Sequence, residues 1–209
     1  MKKILKIAAP FLLILAAFAS YYVSADSRMA FSDIAGHWAA EEIEKWSARG
    51  VINGSEGKFR PDESLSLAEL AVIYTRIMPL GEAAENNFED LPGDAWYTEA
   101  ILRCVGAGIV DAGGKSEIGP GEAMTRAETF MTLVRAFDIK PAGGEALLGA
   151  YNDAKRLTPE QRPYFEALLE LGLISGGSEV QLYPGDGISR AEVVDMLERL
   201  ERAGLIEGE

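Results

Sequence analysis

Apolar residues recur at helical spacing in three pairs of segments along the chain. Within each pair the first segment has a narrow apolar stripe and the second a wider one, which predicts two amphipathic helices joined by a loop. The predicted stripes of the first helices are Trp38, Ala39, Ile43 and Trp46; Trp96, Ala100, Ile101 and Cys104; and Phe165, Leu168, Leu169 and Leu173. A wide apolar face needs several neighbours, so we expect the three second helices to pack together at the centre. The predicted class is mainly all-α, with brief extended pairs around KFRP and QLYP.

The three helix pairs share a set of landmarks in the same order. Each unit opens with an aromatic, a polar residue and an aspartate, and its first helix ends at a glycine. A loop then reaches a proline that lies at the same distance from a glutamate in every unit. The landmarks are Asp33, Gly50, Pro61 and Glu69; Asp90, Gly108, Pro120 and Glu128; and Asp153, Gly172, Pro184 and Glu192. They predict three tandem repeats over residues 31–80, 88–140 and 151–206, joined by linkers rich in Gly, Ala and Pro.

The amino terminus has the pattern of a secretory signal peptide. Three lysines within residues 1–6 precede an apolar run over 7–19, and a small-x-small sequence ends at Ala25. This pattern predicts cleavage of residues 1–25 and export of the rest. An uncleaved membrane anchor is the alternative, because the apolar run approaches the length of a span.

The charge of the chain disfavours two classes of partner. The formal net charge is −13, and loss of the three lysines with the signal peptide makes it −16. Such a chain is repelled by nucleic acid and by an anionic membrane surface, so we expect neither as a partner after signal cleavage. An anionic ligand would have to be held by local cations.

Few residues are available for catalysis or metal binding. Cys104 is the single cysteine and His37 the single histidine, which excludes an intramolecular disulfide and a cysteine-based metal site. Nothing near His37 resembles a nucleophile elbow. A glycan hydrolase with paired carboxylates is the remaining enzyme hypothesis, but the glutamates lie in capping boxes or on solvated helix faces. We therefore expect no enzyme activity, no cofactor and no metal.

A hydroxyl-x-x-Glu capping box precedes each second helix, and in two units an arginine lies inside it. The boxes begin at Ser66, Thr125 and Ser189. Arg126 and Arg190 place a cation beside the positive end of a helix dipole, which costs up to about 1 kcal/mol. Two interpretations are open. The arginines form ion pairs with carboxylates of a neighbouring unit, such as the opening aspartates, or they form an anion site together with exposed helix amides.

The motifs together resemble the S-layer homology domain family. The resemblance rests on the aromatic-x-Asp openings, on HWA and GVINGSEGKFRP, and on the phrases TRAE and SRAE, and it covers nearly all of the chain after residue 25. It implies a pseudo-threefold spindle with three long central helices and grooves between the units. It also implies non-catalytic attachment at the cell surface, through secondary cell wall polysaccharide that often carries pyruvate ketals.

The resemblance assigns polysaccharide binding to particular positions of this sequence. These are Arg126, Arg190, Asp33, Asp90, Asp153, Trp38 and Trp96. Core packing of the two tryptophans is the alternative. Leu67 replaces the motif arginine in the first unit, and the third unit lacks the tryptophan, so we expect both units to contribute less. A structural subunit that recruits a protein partner to the envelope is the alternative function.

Overall fold

The computed structural model describes residues 30–175 and 180–207, and the predicted signal peptide lies outside them. The described residues are mainly helical and form no sheet, as predicted. The long segments are α1 Ala40–Ala48, α2 Leu67–Ile77, α3 Thr98–Gly106, α4 Arg126–Ala136, α5 Arg162–Glu170 and α6 Arg190–Arg202, with 3-10 turns at Leu148–Ala150 and Ala154–Arg156. No helix in this part of the chain is long and apolar enough to cross a membrane.

The predicted helix boundaries are set by local chemistry. Ser66, Thr125 and Ser189 each accept a hydrogen bond from the backbone of their glutamate, whose side chain accepts one in return. These are complete capping boxes. At the other end of α1, Gly50 has φ +71°, a left-handed conformation that closes the helix. In the third unit Thr158 and Gln161 form the reciprocal bonds of a box, but α5 begins only at Arg162.

Each second helix packs against the first helix of the following unit. The packed pairs are α2 with α3, α4 with α5, and α6 with α1, so the third unit closes back onto the first. One apolar core draws on all three units, including Ile43, Leu70, Ile101, Phe130, Phe165 and Leu197. The second helices of the first two units also touch, through a 3.0 Å hydrogen bond between Tyr74 and Thr132. The spindle and its central three-helix bundle stay predictions.

A ring of backbone hydrogen bonds joins the units just before the second helices. The N–H of Leu65 donates to the carbonyl of Ile188 at 3.0 Å, Ile188 to Met124 at 3.0 Å, and Met124 to Leu65 at 2.8 Å. Extended pairing near KFRP is limited to a bridge between Ser55 and Lys58. The other isolated bridges lie at this ring rather than near QLYP.

The helix starts extend this exchange between units. The first two amides of each second helix donate to carbonyls of a neighbouring unit. The donor and acceptor pairs are Leu67 to Glu122, Ala68 to Pro120, Arg126 to Asp186, Ala127 to Pro184, Arg190 to Glu63 and Ala191 to Pro61, over 2.9–3.4 Å. Helix amides that lack an acceptor are costly when buried, so each unit completes the helix of another.

Charged side chains cover the seam between α1 and α6, where the last unit meets the first. Lys45 Nζ lies 2.6 Å from Glu198 and also pairs with Glu201. Arg49 pairs with Glu201 at 2.7 Å, and its guanidinium lies 4.3 Å from the centre of the Trp46 ring. The seam therefore combines a buried indole with an outer ion-pair network.

A fragment that spans residues 30–79 is expected to be unfolded. It contains α1 and α2 but neither α6 nor α3, against which they pack, and it lacks the carbonyls that accept from Leu67 and Ala68. Far-ultraviolet circular dichroism should show mostly coil. A helical fragment that melts cooperatively would show that one unit folds alone.

The seam predicts a specific dependence of stability on pH. The hydrogen bonds from Lys45 lower the pKa of Glu198 and Glu201, so their contribution is present above the ordinary glutamate pKa of about 4.3 and is lost as the pH falls. Lys45→Met should lower the free energy of unfolding by about 1 kcal/mol at pH 7, since the pair is partly solvated.

The difference between Lys45→Met and the wild type should shrink below pH 4 in denaturant titrations. Lys140→Met, at an exposed lysine with no described ion pair, is the matched control and should behave as the wild type at both pH values. A Lys45→Met deficit that is constant with pH would contradict the role of the seam.

Candidate functional site

The opening aspartates hold the loop of their own unit. Asp33 accepts from the backbone amides of Phe59 and Arg60, both at 2.8 Å. Asp90 accepts from Ile118 and Gly119, and Asp153 from Leu182 and Tyr183, over 2.7–2.9 Å. Burial opposes ionisation, but the backbone amides outweigh it and lower the pKa of Asp33 and Asp90. Their oxygens are thus engaged by the fold, and ligand contact by the aspartates stays a prediction.

Arg190 at the start of α6 is buried and fully engaged by the first unit. Only 9% of the surface of Arg190 is exposed to solvent. Nε donates to the carbonyl of Phe59 and Nη2 to that of Asn53, each at 2.8 Å, while Nη1 pairs with the carboxylate of Glu69. Burial lowers the pKa of Arg190, against the opposing effect of Glu69, but an arginine remains protonated. The side chain therefore fastens the third unit to the first.

Arg126 repeats this arrangement between the second and third units. Its Nε donates to the carbonyl of Leu182 at 3.0 Å, and its Nη1 lies 2.5 Å from Glu192. Each motif arginine thus pairs with the capping-box glutamate of the next unit. The ion-pair interpretation is favoured, but the expected partners were wrong, because the opening aspartates are occupied by their own loops.

The second interpretation required exposed amides at the helix starts, and that part is wrong. The first two amides donate to neighbouring carbonyls, and the third donates to the capping hydroxyl. No first-turn amide of α2, α4 or α6 is left for an anion. Any anion must be bound by side chains.

The position without an arginine shows what the substitution removes. Leu67 is buried at the start of α2. The glutamate that an arginine there would reach is Glu128, which is exposed and pairs with no cation among the described residues. Its carboxylate still caps α4 through Thr125. The first and second units therefore meet without an ion pair of this type.

Three grooves lie at these junctions, and we name each by the residue at the helix start. The Arg190 groove has a volume of about 460 Å³, the Arg126 groove about 410 Å³ and the Leu67 groove about 320 Å³. Each joins one unit's helix start to the loop and long helix of the next unit. All three fall within the size of ligand clefts.

The two tryptophans predicted to bind polysaccharide are exposed, so the alternative of core packing was wrong. Trp38 is 61% and Trp96 68% exposed. Both precede their helices, which begin at Ala40 and Thr98, so helical spacing does not apply to them. Trp96 lines the Arg190 groove, whereas Trp38 lines none of the three grooves and lies against the His37 ring.

Both departures from the family pattern fall in one groove. One backbone hydrogen bond marks the same point in each unit: the amide after the helix-ending glycine donates to the carbonyl of Trp46, Cys104 or Leu168. Trp38 and Trp96 lie eight residues before that carbonyl in the first two units. In the third unit the residue eight positions before Leu168 is Glu160. Glu160 lines the Leu67 groove and lies 3.8 Å from Arg135. This groove therefore lacks both the motif arginine and the indole.

The three grooves differ in the net formal charge of the residues that line them. The Arg190 groove has three arginines against two glutamates, a formal +1, while the Arg126 groove is −1 and the Leu67 groove −2 in its described residues. The charged residues are Arg60, Arg76, Arg190, Glu63 and Glu69 in the first; Arg126, Arg199, Asp186, Glu192 and Asp195 in the second; and Lys115, Arg135, Asp111, Glu122, Glu128 and Glu160 in the third. Only the Arg190 groove favours an anion.

Sequence reasoning missed one group of groove residues. Each second helix has an arginine in its last turn that lines a groove: Arg76, Arg135 and Arg199. Aligning the three repeats would have shown this recurrence. Its meaning depends on which carboxylates lie nearby, and only the fold gives that.

Comparison with known families gives a match to the S-layer homology domain at residues 30–71, 87–130 and 150–194. The chain belongs to this family. Its matched segments correspond to the three units, each from the opening aromatic into the second helix. The S-layer homology domain is an anchoring module, and the chain is accordingly a cell-surface protein.

Several curated proteins are similar to this S-layer homology chain. A surface-layer 125 kDa protein of Lysinibacillus sphaericus is 32% identical over 81% of this chain and 14% of its own length. An S-layer protein of Bacillus licheniformis is 32% identical over 80% and 19%. Exoglucanase XynX of Acetivibrio thermocellus is 27% identical over 80% and 16%. The chain thus spans less than a fifth of these relatives.

Loss of the buried arginine should destabilise the fold. Arg190→Ala leaves Glu69 without its cation and two carbonyls without donors, so we expect a loss of about 3 kcal/mol in the free energy of unfolding. Arg126→Ala should cost less, because its partner Glu192 is 40% exposed. Denaturant titration measures both, and an Arg190→Ala variant as stable as the wild type would contradict the fastening role.

Proposed function

We propose that this chain attaches to the cell wall by binding secondary wall polysaccharide, with the Arg190 groove as its main site. The observation that carries the proposal is the content of that groove. It combines the exposed indole of Trp96, uncompensated positive charge, and surfaces from all three units. The other two grooves lack at least one of these features.

The groove offers the contacts that a sugar chain needs. The face of the Trp96 indole can stack on the apolar face of a sugar ring. We expect this contact to contribute about as much binding free energy as other aromatic contacts. Ser55 and Asn53 lie in the same groove and bring groups that bond to hydroxyls. Arg60 and Arg76 add charged donors. The lining therefore combines polar and aromatic groups.

The proposed role is non-catalytic. Hydrolysis by paired carboxylates needs two acidic groups free to face a glycosidic bond. In the Arg190 groove, Glu69 caps α2 through Ser66 and pairs with Arg190. The backbone carbonyl of Glu63 accepts from the N–H of Arg190, and its carboxylate lies 3.8 Å from Arg60. With Glu69 engaged in this way, no pair of free carboxylates remains among the described residues that line the groove, which favours binding over acid–base chemistry. Recruitment of a protein partner stays a prediction.

Wall binding is tested with purified sacculi. The protein lacking residues 1–25 should sediment with sacculi that carry their secondary polymer and stay in solution with sacculi chemically stripped of it. Equal sedimentation with stripped peptidoglycan would contradict polysaccharide recognition. Released sugar should not accumulate during incubation.

The two exposed tryptophans form a matched pair for locating the site. Trp96→Ala should weaken binding about tenfold, the effect of roughly 1.4 kcal/mol of lost contact. Trp38→Ala, at an equally exposed ring outside the three grooves, should change affinity less than twofold. The reverse order would move the site away from the Arg190 groove.

A further inference from the structure

We propose that the Leu67 groove is a docking site for an arginine side chain of another envelope protein, which takes the place of the arginine that the first unit lacks. This site is separate from the Arg190 groove, so it goes beyond the proposed wall binding. The two junctions that keep their arginine show how this fold holds a guanidinium.

Those two junctions use equivalent acceptors. Nη1 of Arg190 or Arg126 pairs with Oε1 of a capping-box glutamate, and Nε donates to a backbone carbonyl in the loop of the same unit. Nη2 of Arg190 donates to a further carbonyl. The acceptors are Glu69, Phe59 and Asn53 around Arg190, and Glu192 and Leu182 around Arg126. A carboxylate flanked by carbonyls matches the planar fork of donors that a guanidinium presents.

The Leu67 groove has acceptors at the same positions. Glu128 is its capping-box glutamate. Ile118 occupies the position of Phe59, because the amide of each donates to Oδ1 of the opening aspartate of its unit. Asp111 occupies the position of Asn53, the third residue after a helix-ending glycine. All of these second-unit residues line the groove, so a receptor for a guanidinium is present where the arginine is missing.

The acceptors of this receptor are unused among residues 30–175 and 180–207. Oε2 of Glu128 accepts from the N–H and the hydroxyl of Thr125, at 2.9 and 2.7 Å, and so caps α4. No described group donates to Oε1 of Glu128 or to the carbonyls of Ile118 and Asp111. Leu67 supplies no donor, because its side chain is apolar and buried. The receptor is therefore open to a donor from a partner.

The charge of the groove favours a cation. Its described lining has a formal charge of −2, and one of its two cations, Arg135, lies 3.8 Å from Glu160. Glu160 also stands where Trp96 lies in the Arg190 groove, so the Leu67 groove lacks the ring on which a sugar would stack. Such a lining attracts a positively charged side chain and repels an anion.

The geometry selects arginine among the cationic groups. An ammonium is a compact point charge, whereas one planar guanidinium can bond a carboxylate and flanking carbonyls at the same time. Leu67 and Met131 line the groove and offer apolar surface to the methylene stem of an arginine. Arginine is the side chain that carries a guanidinium, so the partner is a protein rather than a glycan.

The test uses three blocked tripeptides as probes: acetyl-Gly-X-Gly-amide in which X is arginine, lysine or citrulline. Citrulline has the shape of arginine without its charge. Backbone amide chemical shifts in NMR spectra report binding to the protein that lacks residues 1–25. The arginine peptide should shift the amides of Asp111, Ile118 and Glu128, with a Kd of roughly millimolar for one anchored side chain. The lysine peptide should bind at least about threefold more weakly, and the citrulline peptide should not bind.

Two substitutions with matched controls locate the site. Glu128→Gln removes the charge but keeps an oxygen that caps α4, so it should stay folded and bind the arginine peptide about tenfold more weakly. Glu85→Gln, at an exposed glutamate that lines none of the three grooves, should bind as the wild type. Leu67→Arg supplies the guanidinium from within the chain and should block the peptide, whereas Leu67→Met conserves the volume and should not. Melting temperatures check folding, and Glu128→Gln decides if Leu67→Arg does not fold.

Four results would overturn the inference. The arginine peptide leaves the amides of Asp111, Ile118 and Glu128 unshifted, or it binds Glu128→Gln as tightly as the wild type. Glucosamine binds there as tightly as the arginine peptide, which would make the groove an amine site for a glycan. Sedimentation equilibrium shows a dimer that Glu128→Gln abolishes, which would assign the arginine to a second copy of this chain. Sedimentation with sacculi tests the wall site independently, and Glu128→Gln should retain it.

Discussion

The structure depends on an exchange of hydrogen bonds at the starts of the three long helices. Leu65, Met124 and Ile188 form a closed backbone ring, and the first amides of α2, α4 and α6 donate to carbonyls of other units. Because a buried helix start needs acceptors, no unit can complete its long helix without a neighbour. The closed order of the units and the position of the grooves both follow from this requirement.

The motif phrase combines a local task with one between units. Its hydroxyl and glutamate cap the helix on which they lie, and the second oxygen of the glutamate accepts the arginine of the preceding unit where one exists. The glutamate thus caps its own helix with one oxygen and pairs with the arginine through the other. This ion pair explains why an arginine is found beside the positive end of a helix. The unfavourable dipole term is small compared with a buried, hydrogen-bonded ion pair.

Local features of the fold were predictable from the sequence, and features between units were not. Capping boxes and glycine ends depend on residues a few positions apart, and they were found as expected. The inclusion of Trp38 and Trp96 in the apolar stripes was wrong because both helices begin two residues later than their apolar spacing suggests. The partners of Arg126 and Arg190 were missed because they depend on which unit follows which around the ring. Groove composition depends on the same order.

The repeats allow the grooves to diverge while the ring is kept. Backbone atoms form the ring, so Leu67 can replace an arginine without removing a ring bond, and it buries its side chain instead. Glu160 then adds a second change to the same groove. Concentrating both changes there leaves the Arg190 groove intact, with a local excess of positive charge on a chain of net charge −13. Since that overall charge would repel an acidic polymer, the proposed recognition of such a polymer would have to come from short-range contacts in a groove of opposite sign.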